Sequence, residues 1–186
     1  MSTGAMVLLI VVVVLAVAAL ALVAYKQQKS KKLKEQFGPE YTRAVQETGG
    51  STTRAEAKLD RIQKRVQKFN IRALPSAERT RFADAWRIVQ SRFVDDPKNA
   101  VVEADGLLNQ VMVARGYPVS TFDQCAEDLS VDHPTVVEQY RAGHAIFARH
   151  AEGRASTEDL RQAMIHYRAL FDELVGEPEK AMRRAV

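Results

Sequence analysis

Of its 186 residues, only Cys125 is a cysteine and only Trp86 a tryptophan. A lone cysteine excludes an intramolecular disulfide, and with it the stapled scaffolds of small secreted domains. It suits a reducing compartment better than an oxidising one. No stretch alternates with period two for long enough to make a strand. The common chemical signatures are missing as well. There is no H-E-x-x-H, no E-x-x-H pair, no Cys/His spacing for zinc, no glycine-rich phosphate loop, no nucleophile elbow and no dinucleotide fingerprint. Together these absences leave an enzyme reading without positive support, and no catalytic, cofactor-binding or metal-ligating residue is assigned.

Charge is also missing from one long stretch. Residues Ala5 to Ala24, AMVLLIVVVVLAVAALALVA, carry no charged or strongly polar side chain. At about 1.5 Å per residue, twenty residues give roughly 30 Å of helix, the thickness of a bilayer's hydrocarbon core. A buried core helix would need a polar face, and this segment has none. The rival is a cleaved secretory signal, which wants a basic n-region and a shorter apolar run. MSTGA has no side-chain charge and the run is too long, although Ala19-Leu20-Ala21 offers a small-residue cleavage pattern. The criteria favour a transmembrane anchor over residues 1–25. Its alanines include no pair four apart, so the close-packing pattern of membrane helix dimers is absent.

The flanks set an orientation. Nothing basic precedes the span, whereas Lys26, Lys29, Lys31, Lys32 and Lys34 follow it. The positive-inside rule then puts the N-terminus outside and the rest of the chain in the cytoplasm. The expected partners are the lipid bilayer, through residues 5–24, and anionic headgroups, through those five lysines. The alternative location is secreted, after signal cleavage.

The overall charge of +4 hides an asymmetry. Residues 25–90 hold 16 Lys/Arg against 7 Asp/Glu, and residues 91–186 hold 11 against 16. A basic half therefore precedes an acidic one. The basic part, residues 26–75, reads as a juxtamembrane helical linker interrupted at Gly38-Pro39 and Gly49-Gly50. Its best-formed piece carries Ala55, Leu59, Ile62, Val66 and Phe69 at alternating steps of four and three. That seam lasts about two heptads, short of a coiled coil, and Lys58 and Arg65 at its flanks would form no ion pairs in a symmetric dimer. The seam is expected to pack in cis on the acidic half. The cations of residues 54–72 interleave with only one aromatic, Phe69, so nucleic acid is disfavoured as a partner.

Residues 76–175 read as a helical bundle, and 176–186 as a flexible tail. Ser76 is expected to cap the first bundle helix, with Phe82, Trp86, Val89 and Phe93 on its apolar stripe. Asp96-Pro97 opens the second, which ends at Gly116. Ser120 to Asp123 suggests a cap for a short helix with Phe122, Cys125, Ala126 and Leu129 inward. DHP at 132–134 opens the third long helix, with Val137, Tyr140, His144 and Phe147 on one face. Ser156 to Asp159 caps the fourth, with the stripe Leu160, Met164, Tyr167, Phe171 and Leu174. The fold class is all-α: one N-terminal transmembrane helix followed by a small helical bundle.

Among the possible chemical groups, His144 and His150 stand six apart on one helix, about 240° round its axis, and cannot chelate from one face. His144 reads as a half-buried residue with a hydrogen-bond partner, and Cys125 as a small core residue beside Glu127 and Asp128. The carboxylates Asp95, Asp96, Asp123, Glu127, Asp128 and Asp132 cluster near helix starts, where capping accounts for most of them.

The phrases RFVDDP (92–97), ARGYPV (114–119), DLSVDHPTVVEQYRAGHAI (128–146) and ASTEDLRQAMIHYRALF (155–171) resemble a group of uncharacterised bacterial proteins, hypothetical membrane or secreted proteins. These pair an N-terminal hydrophobic segment with a helical domain. The resemblance covers most of residues 35–175. It implies a bacterial source but no activity, so no site residue is carried over. Three function classes follow: a non-enzymatic membrane-tethered interaction module, an exported or envelope domain released by signal cleavage, and an enzyme with an unrecognised helical active site.

Overall fold

A computed structural model describes residues 3–118 and 120–176. Among these, eight helices and no strand are formed: α1 (Thr3–Phe37), α2 (Pro39–Glu47), α3 (Thr52–Val66), α4 (Ser76–Arg92), α5 (Pro97–Arg115), α6 (Phe122–Leu129), α7 (Pro134–Ala151) and α8 (Thr157–Gly176). Apart from Gly176, the tail expected at 176–186 lies outside the described residues.

α1 runs for 35 residues without a break, about 52 Å at helical rise. Every residue from Val11 to Ala24 is exposed, and α1 is the one described helix long and apolar enough to cross a membrane. Its far end has a different fate. Leu33 and Phe37 are buried, Phe37 completely, in a cluster with Tyr41, Ala44 and the α3 seam. Gly38 ends α1 with a positive φ of 49°, a backbone state that suits glycine, and Pro39 then starts α2 where its missing N–H costs nothing.

The α3 stripe is buried as its spacing requires: Ala55, Leu59, Ile62 and Val66 are each at most 4% exposed. They pack in cis, but on α1, α2 and Val131 rather than broadly on the acidic half. The acidic half meets instead the charged flanks of α3, described below.

The larger core belongs to α4 through α8, where α7 and α8 form the most extensive pairing and α5 packs across α8. Trp86 is buried between α4 and α8, its ring stacked on Phe171 at 4.6 Å between centroids. The stripes of α5 and α8 lie inward as expected. Phe69 and Ile71, in the connector after α3, touch both clusters. That connector passes very close to Gly116. The Arg72 amide donates to the Arg115 carbonyl at 2.9 Å, and a Cβ on Gly116 would collide with the Asn70 carbonyl oxygen. Gly116, with φ of 97°, therefore both ends α5 and admits the connector.

The caps follow the sequence with two shifts. Asp96 accepts from the Asn99 amide, and Ser156 and Asp159 bond reciprocally as a capping box. Ser76, however, is the first residue of α4 and not its cap. Pro75 already accepts the first helical hydrogen bond, from the Arg79 amide, so the helix begins one residue earlier than the serine suggests. Thr121, not Ser120, caps α6 by accepting from the Gln124 amide. The Ser120 hydroxyl lies instead 3.2 Å from Cys125 Sγ.

Candidate functional site

The histidines and Cys125 singled out in the sequence are scattered rather than brought together. His133 is buried at the start of α7, its Nδ1 3.1 Å from Glu173 Oε1. His144 is half-buried and stacks on Phe122 with centroids 3.6 Å apart and rings nearly parallel. Among the described residues its Nδ1 has no hydrogen-bond partner, contrary to expectation; the ring packs instead on Phe122 and Phe147. Burial lowers the pKa of both histidines. His166 meets Gln139 on the surface, and His150 sits in the last turn of α7. Cys125 is buried on the core side of α6. Among the described residues no group of three or more His, Cys, Asp or Glu could hold a metal ion.

The concentrated electrostatics lie elsewhere, along the seam between the α2–α3 hairpin and α6–α7. Arg65 reaches from α3 to Asp128 on α6 through Nε at 2.8 Å and Nη2 at 2.6 Å, and to Glu127 at 3.2 Å. Lys58, two turns earlier, lies 2.8 Å from both Glu127 and Glu47. These are the two flanking cations that a symmetric dimer would have left unpaired. At the other end, Glu40 of α2 accepts two hydrogen bonds from Arg141 of α7, at 3.0 and 3.1 Å. Glu40 is 6% exposed and its partner lies 101 positions away in the chain. Nothing in the sequence marks that pair. Glu40 follows a proline at a helix start, where an acidic residue already has a local reason to be.

Burial works against charge here and the partners restore it. Desolvation raises the Asp128 carboxyl above its ordinary value while Arg65 holds it down, and the net shift is upward. Lys58 is pulled down by burial, but Glu127 and Glu47 carry it above its usual value. Two clefts flank Arg141. One of about 540 Å³ is lined by Pro39, Glu40, Arg43, Gln46 and Glu138, and one of about 300 Å³ by Glu47, Lys58, Asp123 and Glu127. Glu40–Arg141, Arg43–Glu47 and Lys58–Glu127 are ion pairs within these walls. The arrangement ties the α2–α3 hairpin to α6 and α7.

The lysines that follow Ala24 divide. Lys29 pairs with Asp60 of α3 at 3.3 Å, Lys31 lies 3.9 Å from Glu35, and Lys34 sits over the Tyr41 ring at 5.4 Å. Lys26 and Lys32 stay exposed with no such partner among the described residues. No family model, curated protein or solved structure matches the chain.

Proposed function

We propose that this chain is a single-pass membrane protein whose helical domain serves as a non-enzymatic interaction module on the cytoplasmic side. One observation carries the reading: α1 runs unbroken from an exposed apolar stretch into the buried Leu33 and Phe37. An exposed apolar face that large needs a non-aqueous environment, and its length matches a bilayer. The lysines after Ala24 supply the cytoplasmic orientation. The ionic seam supports a binding or scaffolding role over catalysis, because its charges neutralise each other. The resemblance of residues 35–175 to bacterial proteins with an N-terminal hydrophobic segment points the same way.

Two reporters fused to the C-terminus test this reading. A reporter active only in the periplasm should stay dark and a cytoplasmic one should work. The reverse result overturns the orientation. A mature N-terminus near Ala21 in place of Met1 would mean release by cleavage.

A further inference from the structure

α3 carries its cations on one arc away from its buried seam, and the fold divides them. Lys58 and Arg65 flank the seam and are bound to the carboxylates of α6 and α2. Arg54, Arg61, Lys64 and Lys68 are all exposed and recur at intervals of seven, three and four. At about 100° per residue that spacing places Arg54, Arg61 and Lys64 in one stripe, on the side of α3 away from Ala55, Leu59, Ile62 and Val66, and Lys68 stands in the turn that follows. Among the described residues only Lys64 has a carboxylate in reach, Asp60 at 2.9 Å, and Asp60 is shared with Lys29 of α1.

That shared carboxylate also fixes the depth of the middle of α3. Tyr41 Oη lies 3.5 Å from Ser30 Oγ and donates to Glu56 at 3.0 Å, so the Glu56–Asp60 turn of α3 is level with residues 29–30 of α1. Those positions stand five to six residues beyond Ala24, about 8–9 Å along the helix. Headgroups extend about 5–8 Å beyond the hydrocarbon core, and their field persists for roughly a further 8–10 Å.

We propose that the outward stripe of α3, Arg54, Arg61 and Lys64, with Lys68 just beyond it and the exposed Lys26 and Lys32, binds the anionic headgroups of the leaflet from which α1 emerges. The chemistry is that of clustered guanidinium and ammonium groups on lipid phosphates, each contact weak and the set additive. The surface makes the domain a second membrane contact beside its anchor. It rests on the reading of α1 as a span.

The test uses the full chain reconstituted in vesicles of phosphatidylcholine and phosphatidylglycerol at 3:1. Gentle detergent extraction and native mass spectrometry then count the lipids retained. Wild type should retain phosphatidylglycerol at several times its bulk ratio, and the enrichment should fall steeply between 50 and 500 mM salt. R54Q/R61Q/K64Q/K68Q should lose most of it while keeping the native Trp86 emission. Enrichment that survives the four substitutions overturns the proposal, as does its absence in wild type. Capture of a polyanionic oligonucleotide without lipid enrichment reassigns the stripe to nucleic acid and overturns it equally. Resistance to alkaline carbonate, read on the same vesicles, reports the span by itself, so failure of the anchor and failure of the stripe give different results.

Discussion

Arg65 and Asp128 meet at 2.6 Å, 63 positions apart, where the basic flank of α3 crosses onto the acidic half of the chain. Asp128 is 2% exposed and its Oδ2 has no partner among the described residues, so its charge depends on that guanidinium. Arg65→Ala should destabilise the protein by about 2 kcal/mol. This is less than the 3–5 of a fully buried pair, because the Arg65 side chain still meets solvent. Adding Asp128→Leu should recover part of the loss. A double-mutant cycle by urea denaturation measures the coupling, and additive effects would show the pair to be energetically idle.

Leu59 and Ile62 share one buried cluster with Leu33 and Phe37. Changing both to Asp should cost several kcal/mol, roughly 1.5–3 for each apolar side chain lost to burial, and leave a detergent-solubilised monomer a monomer. Sedimentation that shows a wild-type dimer, converted by the substitutions to a folded monomer, would make the seam a dimer contact. A fragment for such work has to begin before Leu33, since a cut at residue 40 removes two members of the core.

Trp86 stacks on Phe171 and is almost inaccessible. Native emission should be blue-shifted and move to the red on unfolding. Trp86→Ala should cost about 3–5 kcal/mol. Red emission from the folded protein contradicts the burial.

Two glycines in helices should respond oppositely to alanine. A Cβ on Gly143 would lie 2.7 Å from the Tyr167 ring, whose hydroxyl is fixed to Asp105 at 2.8 Å and cannot swing aside. Gly143→Ala should destabilise by about 1–3 kcal/mol. Gly106, inside α5 with open space around its Cβ direction, should gain about 0.5–1 kcal/mol as Ala. Thermal unfolding of the two variants provides the comparison.

Stability should fall as the solution is acidified below about pH 6.5, the ordinary histidine value. Burial depresses His133, with Arg115 adding to it and Glu173 and Asp132 opposing, and burial likewise depresses His144 against Asp105 and Asp123. Below that pH the unfolded chain takes up protons that the folded chain resists, so each step down favours unfolding until the folded value is passed. Asp128 is shifted upward, so its contribution has the opposite sign and is largest in acid. The urea midpoint should be lower at pH 5.5 than at 7.5, and His133→Gln should flatten the difference. A midpoint that rises on acidification contradicts the histidine assignment.

The elements that local chemistry dictates are legible in the amino-acid sequence itself. Asp96-Pro97, Gly116 and the Ser156–Asp159 box fix helix ends by their own hydrogen bonds, and the stripes of α3, α5 and α8 fix the buried faces by spacing. The two shifted caps, Ser76 and Ser120, fail where a neighbouring Pro75 or Thr121 takes the first helical hydrogen bond. Long-range pairing is less legible. The excess of cations up to residue 90 and of carboxylates after it suggests attraction, but charge sums carry no register. Only folding shows that Arg65 takes Asp128 while Arg141 takes Glu40. The fate of α1 is hidden for a different reason: Leu33 and Phe37 sit among lysines and glutamate, where two apolar residues make no pattern.

Because α1 has no hinge between Ala24 and Phe37, those thirteen residues form a lever about 20 Å long. A helix held in a bilayer answers a change in hydrocarbon thickness by tilting. A tilt of about 20° would sweep the buried end of such a lever sideways by roughly 7 Å. Phe37 is locked into the domain, so the whole body would be carried with it. On the proposed reading of α1 as a span, lipid composition would set where the domain stands on the membrane plane, with no ligand involved.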